Sequence, residues 1–199
     1  MIGIPVGLLY ANAVEWLVHR YVLHGPGKKK DSFWRFHWAE HHKNARKHGM
    51  YDADYEKSVF DWNARGKEAF GIGLMALGHL PLFGVAPYFT ATVLYACGNY
   101  LHRHKKSHLD PEWGRIHMTS HYDHHMGTNQ DSNWCVTRPW FDWILGTRER
   151  YAFTHKETKR RLAKLRKALA KGVHIELPTV TVPTIAPPPA SNESSLGAA

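Results

Sequence analysis

His117-Met118-Thr119-Ser120-His121-Tyr122-Asp123-His124-His125 is the stretch on which the reading of this chain turns. Residues three and four apart share one face of an α-helix. On that spacing positions 117, 121, 124 and 125 make one imidazole-lined stripe. Adjacent residues point about 100° apart at 3.6 residues per turn. One ring of the 124/125 pair can therefore serve one metal ion, and the other a second ion or a second face.

Three shorter pieces match it. His37-Trp38-Ala39-Glu40-His41-His42 has the form HxxxHH, and His104-Lys105-Lys106-Ser107-His108 has the form HxxxH. His19-Arg20-Tyr21-Val22-Leu23-His24 has the form HxxxxH and is the least aligned on an α-helix. Gly25-Pro26-Gly27 follows it and is expected to end that helix. His24 could then swing from the unwinding end toward the same site. One HxxxH pair arises often by chance. Four clusters in order, in a chain with 16 histidines, argue for a shared metal site.

Imidazole suits Zn, Cu, Fe and Ni. The HExxH arrangement of zinc proteases is absent, and no two-histidine-one-carboxylate iron site is evident. The candidate ligands are His19, His24, His37, His41, His42, His104, His108, His121, His124 and His125. Shared between two ions they give about five each, which leaves an octahedral ion one open position, the mark of a catalytic site. His102 and His117 could replace a neighbour or support one. No catalytic residue beyond the ligands and no organic-cofactor motif stands out. His48, His155 and His174 read as surface residues. Asp123 either orients an imidazole or is solvated, and Glu15, one turn before His19, either holds that ring's second nitrogen or is solvated on its helix face.

The chain has 199 residues, enough for one domain with a real core, and a formal charge of +9 with histidine neutral. Two cysteines, Cys97 and Cys135, make neither a disulfide framework nor a zinc site on their own. No signal peptide is recognised. Residues 1–18 and 69–101 are apolar, the second run broken by Pro81-Leu82-Phe83-Gly84 and Pro87. The first nearly matches a bilayer core in length. The second reads as a helical hairpin dipping into or across a membrane. Basic flanks put both ends of the hairpin on the cytoplasmic side. Burial of both runs in a soluble core is the competing reading. His79, inside the hairpin, reads as hydrogen-bonded packing.

The remaining segments are polar. Asp31 or Ser32 is placed to cap the helix of the second cluster. Gly127 is placed to end the helix of the fourth. Pro139 starts a short aromatic helix from Trp140 to Leu145, stopped by Gly146. Residues 155–172 read as a basic amphipathic helix with Leu162, Leu165 and Leu169 as its stripe, solvated or lying on a membrane. Residues 178–199, rich in Pro, Ala, Ser and Thr, read as disordered. This gives a membrane domain over 1–154, a basic helix over 155–173 and a tail over 174–199. Nucleic-acid binding is disfavoured, because long apolar stretches interrupt the charge and no known module is present.

With these motifs the sequence resembles the fatty acid hydroxylase/sterol desaturase superfamily over about residues 5–150. The carriers are His19-x4-His24, His37-x3-His41-His42, His104-x3-His108 and His121-x2-His124-His125. Val136-Thr137-Arg138-Pro139-Trp140-Phe141-Asp142-Trp143-Ile144-Leu145-Gly146-Thr147 is similar to that family's closing segment. The resemblance implies an all-α fold: membrane-embedded helices under a cytoplasm-facing, histidine-rich dome. It implies two non-heme Fe ions and O2 as cosubstrate, acting on a C–H bond of a fatty acyl chain, sterol or carotenoid. No fused cytochrome or ferredoxin domain is visible, so the expected electron donor is a separate cytochrome b5- or ferredoxin-type protein, docked at Lys28–Lys30 and Lys105-Lys106. The short N-terminus leaves the number of spans open and allows homo-oligomerisation. The competing reading is a non-catalytic zinc-binding membrane protein.

Overall fold

An apolar run without charge before Glu15 winds into α1 (Gly3–Val18), with Pro5 in its first turn. The computed structural model describes residues 2–172. It comprises helices and turns: α1, α2 (Lys43–Lys47), α3 (Ala64–His79), α4 (Pro87–Leu109), α5 (Pro111–His117), α6 (Thr119–Met126), α7 (Trp140–Ile144) and α8 (His155–Leu169). Two π-helical turns, His19–Leu23 and Phe36–His42, interrupt the series. The chain divides into two compact units, residues 1–161 and 162–199. The first holds α1 to α7; the second is described only over 162–172, which includes the end of α8. The tail reading and His174 lie outside the described residues.

Helix α1 packs along α4. Gly7 permits the close approach, since a Cβ there would lie 2.9 Å from that of Thr92. α3 covers α4 from another side after the break at Leu80–Gly84. The hairpin expected over 69–101 is thus two helices joined by a 3-10 turn. His79 bonds Tyr10 Oη at 2.9 Å and the Met75 carbonyl at 2.7 Å, so it is a packing residue. No described helix is long and apolar enough to cross a membrane. α1, at 16 residues, spans about 24 Å against a hydrocarbon core of about 30 Å. Its expected crossing is therefore not seen.

The closing segment docks on α1 through polar side chains. Asn12 donates to the Arg138 carbonyl at 2.7 Å and accepts from Phe141 N–H at 3.2 Å. Trp16 Nε1–H donates to Thr147 Oγ1 at 3.0 Å. Buried Asp142 accepts from the Trp134 and Cys135 amides and from Thr147 Oγ1. Gly146 ends α7 with φ +66°, a left-handed position that a Cβ would strain. Glu15 accepts from Val136 N, Thr137 N and Thr137 Oγ1. It holds this segment and not His19, against the sequence expectation.

Two further expectations are corrected. The stripe 117/121/124/125 does not form, because Met118 leaves helical geometry (φ −131°, ψ 49°) between α5 and α6. His117 is left exposed outside the stripe. The second cluster's helix starts at Phe36, beyond reach of the proposed caps, and Ser32 Oγ instead accepts from Trp34 N–H.

Candidate metal centre

The spacing of each cluster becomes geometry through the helix type that carries it. An α-helix aligns residues four apart, whereas i→i+5 hydrogen bonds bring positions five apart together. In the first π-turn the His24 amide bonds the His19 carbonyl at 3.0 Å, so the HxxxxH pair lies on one face. His24 needs no unwound end. In the second π-turn His37 and His42 share a face while His41, one residue earlier, points elsewhere. α4 presents His104 and His108, and α6 presents His121 and His125 with His124 turned aside.

The result is two groups of nitrogen atoms. His19, His24, His37, His42 and His124 form one, and His41, His104, His108 and His125 the other, with the ligand atoms of each within 4.8 Å of one another. His121 adjoins the second, its Nε2 3.0 Å from His108 Nε2. All ten rings are buried. His42 and His125 join the groups, with ring centroids 4.3 Å apart. His102, His117, His48 and His155 are exposed and outside both.

Ring orientation is set from behind. The Nδ1 atoms of His19, His108 and His124 meet the carbonyls of Trp134, Met50 and Ser132 at 2.6 to 2.7 Å. A carbonyl only accepts, so each Nδ1 carries the proton and each Nε2 a lone pair. His41 Nδ1 meets Asp52 Oδ2 at 2.9 Å, and His104 Nδ1 meets Glu68 Oε1 at 2.5 Å. The Tyr55 hydroxyl lies 3.1 Å from His104 Nδ1, and its ring stacks on His108. Gln130 reaches His42 Nδ1 at 2.7 Å. None of these partners stood out in the sequence. Asp52 and Glu68 at least had the right chemistry, but loop carbonyls leave no mark in a side-chain pattern. Asp123 neither orients an imidazole nor is solvated: it is buried, pairs with Arg148 at 2.7 Å and accepts from Ala152 N–H.

The Nε2 lone pairs of His19, His41, His104, His108 and His124 are thus turned toward the other rings. In the first group Nε2 atoms stand 3.0 to 3.2 Å apart (His19–His37, His24–His42, His37–His42 and His42–His124). In the second, Nε2 of His41 and His104 and both nitrogens of His125 are buried without any hydrogen-bond partner. Buried polar atoms are rarely left unpaired, and a cation is the partner that several facing lone pairs can share. Burial also depresses the rings' basicity. It lowers His19 to about 3 and takes His24, His37, His42, His104, His108, His121, His124 and His125 well below the usual 6.5. Neutral imidazole is the form a metal requires. The residues therefore fit two metal ions held by nitrogen.

A cavity of about 430 Å³ between α1, α3 and α4 reaches this centre. Val14, Val18, Ile72, Met75 and Ala96 give it apolar walls. His19 and His37 of one group and His41 of the other lie at its polar end. Its volume suits a small apolar ligand.

A family model described as fatty acid hydroxylase matches residues 4–147. No curated protein and no solved structure matches the chain.

Proposed function

The chain belongs to the fatty acid hydroxylase family, and from that premise we propose that it is an O2-dependent non-heme diiron enzyme that hydroxylates or desaturates a membrane lipid. The observation that carries this reading is the junction of the apolar cavity with both histidine groups. His19, His24, His37, His42 and His124 would hold one iron. His41, His104, His108 and His125, with His121 beside them, would hold the other. Iron bound there supplies oxygen activation strong enough to attack an unactivated C–H bond.

The chain's own residues bind, orient and exclude water. Val14, Val18, Ile72 and Met75 would take an acyl, sterol or carotenoid skeleton without a hydrogen-bonding demand. The carbonyls of Trp134, Met50 and Ser132 and the carboxylates of Asp52 and Glu68 fix which nitrogen faces the centre. Such supporting partners typically matter 10–100-fold to metal affinity. A structural zinc site closes at four ligands. Five histidines in one group, and a cavity ending on both groups, favour the open, catalytic alternative.

The membrane part of the reading rests on exposed apolar side chains. Ile4, Leu9, Leu74, Leu77, Phe83 and Val85, on α1, α3 and the turn between α3 and α4, are all exposed. This apolar end would enter the bilayer from the cytoplasmic face without a described helix crossing it, leaving the histidine dome at the surface. Electrons would come from a separate cytochrome b5- or ferredoxin-type protein. Lys28, Lys29, Lys30 and Lys106 are all exposed, but Lys28 already pairs with Asp131 at 2.7 Å and Lys106 lies over the Trp113 ring, which leaves Lys29 and Lys30 as the cations offered to a partner.

The test is labelled oxygen. Iron-loaded full-length protein in detergent, supplied with reductant, 18O2 and lipids extracted from the expressing membranes, should yield a lipid gaining one 18O. Desaturation would appear instead as a loss of two mass units without label. Either product should be absent with H104A. No lipid product from iron-replete protein would refute the assignment.

A further inference from the structure

On the outer side of the α1–α4 pair lies a second cavity of about 460 Å³, separate in character from the one that meets the histidines. Its walls include Asn99, Arg103, Thr137 and Arg138. Arg103 donates one Nη2–H to the His117 carbonyl at 2.9 Å, while its Nε is buried without a partner. Among the described residues neither Arg103 nor Arg138 is ion-paired. Glu15 also touches this cavity, but its carboxylate oxygens are taken by Val136 and Thr137. Asn12 clamps the Arg138 carbonyl and the Phe141 amide, which fixes Arg138 and Trp140 at the wall.

Leu8 and Trp140 are shared with an adjoining groove, also about 460 Å³, that continues along α1 and α7. Pro5, Leu9, Trp143 and Ile144 complete it, and it is almost wholly apolar. Leu9, Trp143 and Ile144 are strongly exposed there, at 48%, 61% and 66%. The polarity runs in one direction. On α1 the lining passes from Pro5 and Leu8 to Asn12 and Glu15, toward His19. On α4 it passes from Tyr95 through Asn99 to Arg103, next to His104.

An apolar trough that ends at two guanidiniums without a carboxylate partner among the described residues, level with the histidine centre, has the polarity of one lipid molecule in one leaflet. We propose that this face binds one anionic phospholipid, its phosphate on Arg103 and Arg138 and one acyl chain in the groove between α1 and α7. Guanidinium is the side chain best matched to phosphate oxygens. The site is distinct from the substrate cavity and goes beyond the proposed reaction. Its occupant would be a resident lipid that seals α7 and the closing segment against α1.

Native mass spectrometry of the full chain in neutral detergent tests it. Phosphatidylglycerol and phosphatidylcholine with identical acyl chains are offered in parallel, with inorganic phosphate as a third probe. One phosphatidylglycerol per chain is expected, retained about tenfold over phosphatidylcholine, which keeps the phosphate but sets a choline cation against the same two guanidiniums. R138Q should reduce that preference and R103Q/R138Q abolish it, with iron content unchanged. R138Q suffices if the double variant fails to fold, because the Arg138 side chain makes no hydrogen bond with the described residues. L9W, which fills the groove, should weaken both lipids. Equal retention of the two lipids, a preference unmoved in R138Q, or inorganic phosphate displacing phosphatidylglycerol at equal concentration would each overturn the proposal. The readout is binding alone, so it stands or falls independently of turnover.

Discussion

The five-histidine group hangs on two π-turns, where His19/His24 and His37/His42 are each five residues apart. The four-histidine group hangs on α4, where His104 and His108 are four apart, and each group borrows one ring from the other's helices (His124 and His41). The same residue type is thus delivered by two helical geometries. The π-turn lets the adjacent residues His41 and His42 part, one to each group. The supports differ too. Loop carbonyls of Trp134 and Ser132 set the first group, whereas Asp52, Glu68 and the Met50 carbonyl set the second. The first group should therefore answer to backbone register, and the second to carboxylate identity.

The sharpest way to break this comparison is to change register. Deleting Val22 turns the HxxxxH pair into HxxxH and removes the π-turn's purpose. Iron analysis should show the first group's metal lost, the second's retained, and turnover down more than 100-fold. Retention of both metals would mean the π geometry is incidental.

Carboxylate identity is the next test. D52N keeps the shape but weakens the hold on His41 Nδ1, and should cost about 10–100-fold in affinity for one metal only. Competition with a chelator would reveal a biphasic release, with one phase unchanged. Equal weakening of both phases would contradict separate supports.

Acid should act on both groups together. The folded rings of His24, His37, His42, His124, His104, His108, His121 and His125 sit well below 6.5, and His19 near 3, while the unfolded chain protonates near 6.5. Between these values the unfolded state binds more protons, so the stability of metal-free protein falls as pH drops from about 6.5 toward 3. Urea midpoints measured across that window should decline steadily. A flat profile would mean the rings are solvated in the folded state.

The smallest effect belongs outside both groups. K29E/K30E should slow turnover with an acidic protein donor several-fold at low salt, less at high salt, and not at all with a small reductant. Equal rates with the protein donor would remove this face from docking.

Much of the α-helical half was legible in the sequence, because HxxxH at 104/108 and the spacing 121/125 carry the ordinary four-residue phase. The π half was legible as a set of histidines but not as geometry, because five-residue spacing looks out of phase until the backbone itself shifts phase. The break at Met118 was equally hidden, and with it the exclusion of His117. Neither reading of Glu15 held, because its spacing from His19 was visible while the incoming Val136–Thr137 amides, more than a hundred residues away, were not. The apolar runs were plain, but α1 is too short and the second run too broken to give a described crossing helix.

Iron per chain, measured in purified full-length protein beside H24A, H104A and the double variant, tests the central claim most directly. Two irons in the parent, about one in each single variant and none in the double is the predicted series. A single metal in the parent, or single variants that each lose everything, would contradict two separately built sites.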